Sequence, residues 1–158
     1  MGDLLSMKVR DAYKESLSDD LANRIWTYKH PREDVDVNDR EYVSWLNSLP
    51  RFLECAYNAN LDDVLVVFEM KTPISNKAID LLLIGKTPEG ENKAIIVELK
   101  QWSMISTKYV KQPEKVYVPE AQATRKHPMR QLNLYWDNLR NHHSGIQKSR
   151  ANGIDIKS

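Results

Sequence analysis

Two apolar runs constrain this chain most. They are Ile79-Asp80-Leu81-Leu82-Leu83-Ile84 and Lys93-Ala94-Ile95-Ile96-Val97-Glu98-Leu99-Lys100, joined by Thr87-Pro88-Glu89-Gly90-Glu91-Asn92. The turn residues between them predict two strands, over 78–84 and 93–100, folded back as a hairpin. Strands this continuously apolar are usually covered on both faces. An ionised group inside such a strand is costly unless it is paired or holds a metal. Asp80, Glu98 and Lys100 therefore need a reason to be where they are.

The rest of the chain supplies helices to cover such a sheet. Ser18-Asp19-Asp20 reads as an N-cap and acidic first turn of a helix running to about Tyr28, with Pro31 beyond it. Residues 31–38 read as loop, and Asn38 is suited to cap the next helix. Tyr42, Trp45, Leu46, Leu49, Phe52, Leu53 and Ala56 then recur at helical spacing, interrupted by Pro50, where a kink or break is expected. Val64-Leu65-Val66-Val67-Phe68 predicts a strand ending near Glu69 and Met70. Tyr109-Val110 and Val116-Tyr117-Val118 suggest a ribbon. Pro128 suits the first turn of a helix with Leu132, Tyr135, Trp136 and Leu139 on its apolar stripe. Ile154 and Ile156 read as the start of one more strand. The expected fold class is α/β, a small mixed β-sheet flanked by helices.

At 158 residues the chain suffices for one domain with a real core. Cys55 is the only cysteine, so no internal disulfide forms, which suits a reducing, cytoplasmic setting. No apolar stretch approaches the roughly 20 residues that span a bilayer, and no membrane partner is expected. Met1-Gly2-Asp3-Leu4-Leu5-Ser6 fits only a short, weakly informative acylation pattern. The net charge of +1 conceals an asymmetry: 12 basic against 18 acidic residues up to Glu98, then 11 against 4. A basic C-terminal third is a footprint for a polyanion, or simply a solvated surface.

Glu98 and Lys100 alternate with Leu99 and so share a face; Asp80 on the neighbouring strand completes a convergence of two carboxylates and an ammonium. Paired carboxylates are hard oxygen ligands suited to Mg²⁺ or Mn²⁺, which polarises a phosphoryl oxygen and helps generate hydroxide. Lys100 is placed to orient the attacking water or to stabilise charge on the phosphate. Glu69 is a candidate further ligand or metal–water contact.

Asp80, seventeen residues, then Glu98-Leu99-Lys100 resembles the Asp…Glu-x-Lys core of the PD-(D/E)xK nuclease superfamily, with Ile79 where proline is often found. Gln131-Leu132-Asn133-Leu134-Tyr135 resembles the Gln-x-x-x-Tyr motif of its RecB-like branch. Glu98-Leu99-Lys100-Gln101-Trp102-Ser103, followed by His127-Pro128 and Gln131, is similar to the nuclease-like N-terminal region of Schlafen-group-three-like DNA/RNA helicases over about residues 40–158. The resemblance implies a restriction-endonuclease-like core over 38–158, after an N-terminal helical segment over 1–37. It also implies a divalent-metal-dependent nuclease acting on DNA, or secondarily RNA. Asp80 and Glu98 would be metal ligands, joined by the Leu99 backbone carbonyl and Glu69, with Lys100 catalytic. Gln131, Tyr135, Trp102, Arg130 and Lys126 would bind nucleic acid. The chain stops about where the helicase family's next strand would begin, before any motor domain. Gly85-Lys86-Thr87 matches only the tail of a nucleotide-binding loop and reads as a hairpin turn. The resemblance thus admits an active nuclease, a non-catalytic nucleic-acid-binding or helicase-docking module, or a fragment of a helicase-nuclease.

Each residue also has a plainer reading. Glu98 and Lys100 would suit any exposed strand pair, and Tyr135 an ordinary core stripe. Trp102 would plug a sheet end, and His127 would cap a helix. Glu41 and Glu54 would be solvated helical residues. His142 and His143 are adjacent and do not converge, so zinc is not expected. Lys108, Lys111, Lys115, Arg125, Lys126 and Arg130 would neutralise phosphates together or face solvent singly.

Overall fold

The hairpin lies inside a four-stranded sheet. The computed structural model describes residues 4–73, 77–102 and 114–144. Strand β3 (Ala78–Lys86) pairs antiparallel with β4 (Asn92–Val97), from Leu81 opposite Val97 to Lys86 opposite Asn92. On its other side β3 pairs with β2 (Leu65–Lys71), and β2 with a three-residue strand, β1 (Ser6–Lys8), giving the order β1-β2-β3-β4. All described pairings are antiparallel. The strand expected at Ile154 and Ile156, like Tyr109-Val110, lies outside the described residues. A separate ribbon joins β5 (Lys115–Val118) to β6 (Ala123–Lys126).

The first 37 residues do more than form helices. They contribute β1 to the sheet, helix α1 (Val9–Ser16) and helix α2 (Asp20–Lys29). These helices and α3 (Arg40–Asn58) cover one face of the sheet. Val9, Leu21, Ile25, Tyr42, Leu49 and Leu53 pack there with Val66, Phe68, Leu81 and Leu83. Helix α4 (Pro128–His142) is associated with a second cluster, in which Tyr135 and Leu139 meet Val67, Met70, Ile79 and Leu82. The molecule is thus mixed α/β, with a small antiparallel sheet and four described helices.

Two local expectations are corrected. Helix α3 is capped by Asp39, not Asn38: the Asp39 carboxylate accepts from the Glu41 and Tyr42 amides, while the Asn38 amide is turned toward Asp36. Pro50 does not end that helix. An interior proline costs about 3 kcal/mol, but each fully buried aliphatic side chain contributes roughly 1.5–3 kcal/mol. Leu49, Leu53 and Ala56, all buried, hold the helix together past it. Asn60, left-handed at φ 60°, then stops the helix, with its amide on the Tyr57 carbonyl and the Leu61 amide on that of Ala56.

Candidate active site

The carboxylates gather where three strands lie at one level. Continuing the β3–β4 register one step past Leu81 and Val97 sets Asp80 opposite Glu98. On the other side, Phe68 pairs with Leu81 and Met70 with Ile79, which brackets Glu69 beside Asp80. Glu69, Asp80 and Glu98 therefore form a row across β2, β3 and the end of β4.

The ladder breaks at this row. Strand β4 ends at Val97 and not at Lys100, because the Leu99 amide donates to Asp80 Oδ2 at 2.7 Å, satisfying a half-buried donor with a side chain in place of the ladder. Glu69 has φ 47°, a left-handed conformation uncommon for a residue with a side chain. The facing order inverts there. Phe68 and Leu81 pack with the α1–α3 cluster, whereas Met70 and Ile79, two residues on, pack with the α4 cluster.

Glu69 is buried and fully engaged. Its Oε1 accepts from Trp45 Nε1 at 3.1 Å and its Oε2 from Lys29 Nζ at 2.9 Å. Lys29 also donates to Glu41 Oε1 at 2.6 Å, and its ammonium lies 5.3 Å from the centre of the Trp45 ring. Burial opposes the charge on Lys29, but the bonds to Glu41 and Glu69 outweigh it and raise the lysine's pKa above its ordinary value. For Glu69 burial wins, and its pKa lies above the usual carboxylate value despite Lys29.

Glu98 is built differently. Its side chain is 2% exposed and forms a close ion pair with Lys100 through Oε1, which also accepts from Gln131 Nε2 at 2.6 Å. Its Oε2 is buried and has no hydrogen-bond partner among the described residues. Between the two glutamates, burial and then the Glu98 charge push Asp80 up to about 6, against the Leu99 amide, Lys100 and Lys29. Gln131 Nε2 also lies 2.7 Å from the Tyr135 hydroxyl. Burial, helped by the charges of Glu98, Asp80 and Glu69, pushes that hydroxyl up to about 12 although Gln131 opposes it, so Tyr135 stays protonated at neutral pH.

Two clefts open onto the row, and both have Glu41, Glu69 and Asp80 in their walls. The smaller, about 310 Å³, reaches Ser44, Glu98, Leu99 and Lys100. The larger, about 1230 Å³, reaches Gln131, Tyr135, Lys71, Lys77, His142 and His143. Asp80, Glu98, Leu99, Lys100, Gln131, Tyr135 and Glu69 are thus brought together. Trp102 stands nearby, its ring centre 5.9 Å from the Lys100 ammonium. Arg130 points elsewhere, pairing with Glu114 at 3.2 Å, and Lys126 is exposed on β6. His127 caps α4 through Nδ1, which accepts from the Met129 amide. Glu41 borders the site, whereas Glu54 is exposed and lines neither cleft. Sequence reasoning missed Lys29 and Trp45. Their only signal is a lysine at a helix end and a tryptophan in an apolar stripe, and their partner Glu69 is 40 and 24 residues away.

The residues present fit a hard divalent ion. Among the described residues no group of three or more His, Cys, Asp or Glu side chains is placed to share a metal. Magnesium, however, is commonly held by one or two carboxylates, with water and phosphate oxygens filling the other positions. The unpartnered Glu98 Oε2 beside Asp80 supplies such a donor set. No protein-family profile, curated protein or solved structure matches this chain.

Proposed function

We propose that the chain is a divalent-metal-dependent nuclease, hydrolysing phosphodiester bonds in DNA first and RNA second. In this reading its core is restriction-endonuclease-like and belongs with the PD-(D/E)xK nucleases. The observation that carries it is the buried, unpartnered oxygen of Glu98 set across from Asp80, with Lys100 against the same carboxylate.

Asp80 and Glu98 would hold Mg²⁺ or Mn²⁺, with the Leu99 carbonyl as a further ligand. The ion when bound supplies Lewis acidity toward a phosphoryl oxygen and acidifies water. The Leu99 amide fixes Asp80, and Gln131 fixes Glu98, so neither carboxylate must reorganise as charge develops. Lys100, held by Glu98 at the edge of the smaller cleft, donates to the phosphate or the attacking water. Tyr135, protonated, presents a neutral hydroxyl toward the larger cleft.

Labelled single- and double-stranded DNA and RNA, incubated with Mg²⁺ or Mn²⁺, test the assignment. Asp80→Ala and Lys100→Ala are each expected to lose roughly 10²–10⁴-fold in cleavage rate, the scale of a removed charge-stabilising or proton-transferring group. Equal cleavage by wild type and both variants would falsify it. A second reading, a non-catalytic nucleic-acid-binding or helicase-docking module, is favoured by the lack of a third acidic or histidine ligand among the described residues. It expects binding that persists unchanged in EDTA, with no cleavage.

A further inference from the structure

Of the cations around the acid row, Lys29 is taken up by Glu41 and Glu69, and Lys100 by Glu98. The smaller cleft has a second cation in its lining, Arg40, the first residue of α3. The Arg40 side chain is exposed and forms no ion pair or hydrogen bond among the described residues. An arginine beside carboxylates ordinarily pairs with one of them, because its planar fork matches two carboxylate oxygens. Here the acids on either side of it in sequence are already engaged. Asp39 accepts from the Glu41 and Tyr42 amides, and Glu41 accepts from Lys29. The five N–H donors of the guanidinium are thus left for a ligand.

Helix α3 presents Arg40 on a polar stripe. Arg40, Ser44 and Ser48 recur every four residues, so they share one face of the helix, and all three line the smaller cleft. The Ser44 carbonyl accepts from Ser48 Oγ at 2.6 Å and from Gln101 Nε2 at 3.0 Å. The second bond ties α3 to the residue that follows Lys100, which fixes the stripe relative to the Glu98–Lys100 pair. The Ser44 hydroxyl has no hydrogen-bond partner among the described residues, and it lies one turn, about 6 Å along the axis, from Arg40. The same cleft is lined by Glu98, whose side chain is 2% exposed and whose Oε2 is unpartnered among the described residues. At about 310 Å³ its volume is within the range of sites that hold small ligands, roughly 300–1,000 Å³.

We propose that Arg40 is a phosphate-binding residue of the smaller cleft, gripping the backbone phosphate next to the one that is cleaved, with the Ser44 hydroxyl as a neutral second donor. Lys100, in its close ion pair with Glu98, belongs to the reacting phosphate. Arg40 is out of ion-pair reach of every described carboxylate and serves the neighbour. A grip on a non-reacting phosphate is equally strong before and during bond cleavage, so it acts on substrate binding and not on the chemical step. The assignment rests on the nuclease reading of the same site and adds to it a substrate contact supplied by α3.

Steady-state cleavage of a labelled single-stranded oligonucleotide in Mg²⁺, with thermal melting of the same proteins, tests the assignment with the full chain. Arg40→Gln is expected to raise KM at least about tenfold, the scale of one lost hydrogen bond to a charged group, with most of the loss in kcat/KM falling on KM. Arg40→Lys, which keeps the charge without the fork, should fall between wild type and Arg40→Gln. The melting temperature of Arg40→Gln should stay within about 2 °C of wild type, because the side chain holds nothing in the fold. In the Lys100→Ala background, where turnover is slow, Arg40→Gln should lower the slope of log K against log salt by roughly 0.7. An unchanged KM and slope overturn the assignment. So does an equal rise in KM for Arg51→Gln, on the same helix but lining neither cleft, which would reduce Arg40 to general surface charge. A loss confined to kcat would move Arg40 to the reacting phosphate and overturn it as well. Wild-type protein that cleaves neither DNA nor RNA overturns the nuclease reading itself.

Discussion

Glu69 and Glu98 flank the same aspartate from neighbouring strands, yet their surroundings are opposite. Glu69 has both oxygens engaged, by Trp45 and Lys29, and the lysine is shared with Glu41. Glu98 has one oxygen crowded by Lys100 and Gln131 and the other buried with no partner among the described residues. A buried carboxylate oxygen without a donor costs more than 1 kcal/mol, and a native fold keeps one where something else completes it. The helix side of the row therefore reads as architecture and the hairpin side as a place for a ligand.

The sharpest way to break this contrast is to remove Glu69. Glu69→Ala strands Lys29 beside Glu41 alone and leaves the Trp45 indole without its acceptor. Stability measured by denaturant titration should fall by about 3–5 kcal/mol, as for breaking one side of a buried ion pair. A loss under 1 kcal/mol would mean that the closed side does not hold the fold.

The next effect has the opposite sign. A carboxyl group at about 6 in the folded chain and near 3.8 in the unfolded one binds more protons when folded between those values. Stability is then lost as pH rises from about 4 to 6, and the folded state carries a penalty of about 3 kcal/mol above that window. Asp80→Asn, which keeps an acceptor for the Leu99 amide, should be more stable than wild type at pH 7 without metal, and no more stable at pH 3.5. Parallel pH profiles for the two proteins would contradict the burial and Glu98 repulsion assigned to Asp80.

The smallest effect separates the two sides by ligand. A bound ion stabilises the folded chain by about 2.7 kcal/mol at a hundredfold excess over its dissociation constant. Mn²⁺ should raise the melting temperature of wild type and of Glu41→Gln alike, and leave that of Glu98→Gln unmoved. A rise retained by Glu98→Gln would move the ion to the other end of the row.

Much of this arrangement was legible in residue order. The stripes from Leu21 to Tyr28 and from Tyr42 to Ala56 became α2 and α3, and the turn from Thr87 to Asn92 joined the hairpin. Asp80, Glu98, Lys100, Gln131 and Tyr135 do meet. What was not legible depends on distant contacts. Strand β1 is three residues long and is defined only by its pairing with β2. Helix α1 is short and polar on average, and its identity comes from Val9 and Ala12 being buried against α3. The Lys29–Glu69 pair spans 40 residues, beyond any local periodicity. Pro50 misleads because its cost is local, whereas the buried Leu49, Leu53 and Ala56 that offset it act through the core beneath α3.

The left-handed backbone at Glu69 has a consequence for how strand β2 must be read. Ahead of it, even-numbered side chains such as Val66 and Phe68 belong to the layer of three helices; after it, even-numbered Met70 belongs to the other layer. The inside–outside code changes phase at one residue, much as a twisted ribbon shows both colours at its crossing. Because the crossing falls at the acids, helices from both layers can send side chains to one short row: an ammonium and an indole from one side, an amide and a phenol from the other.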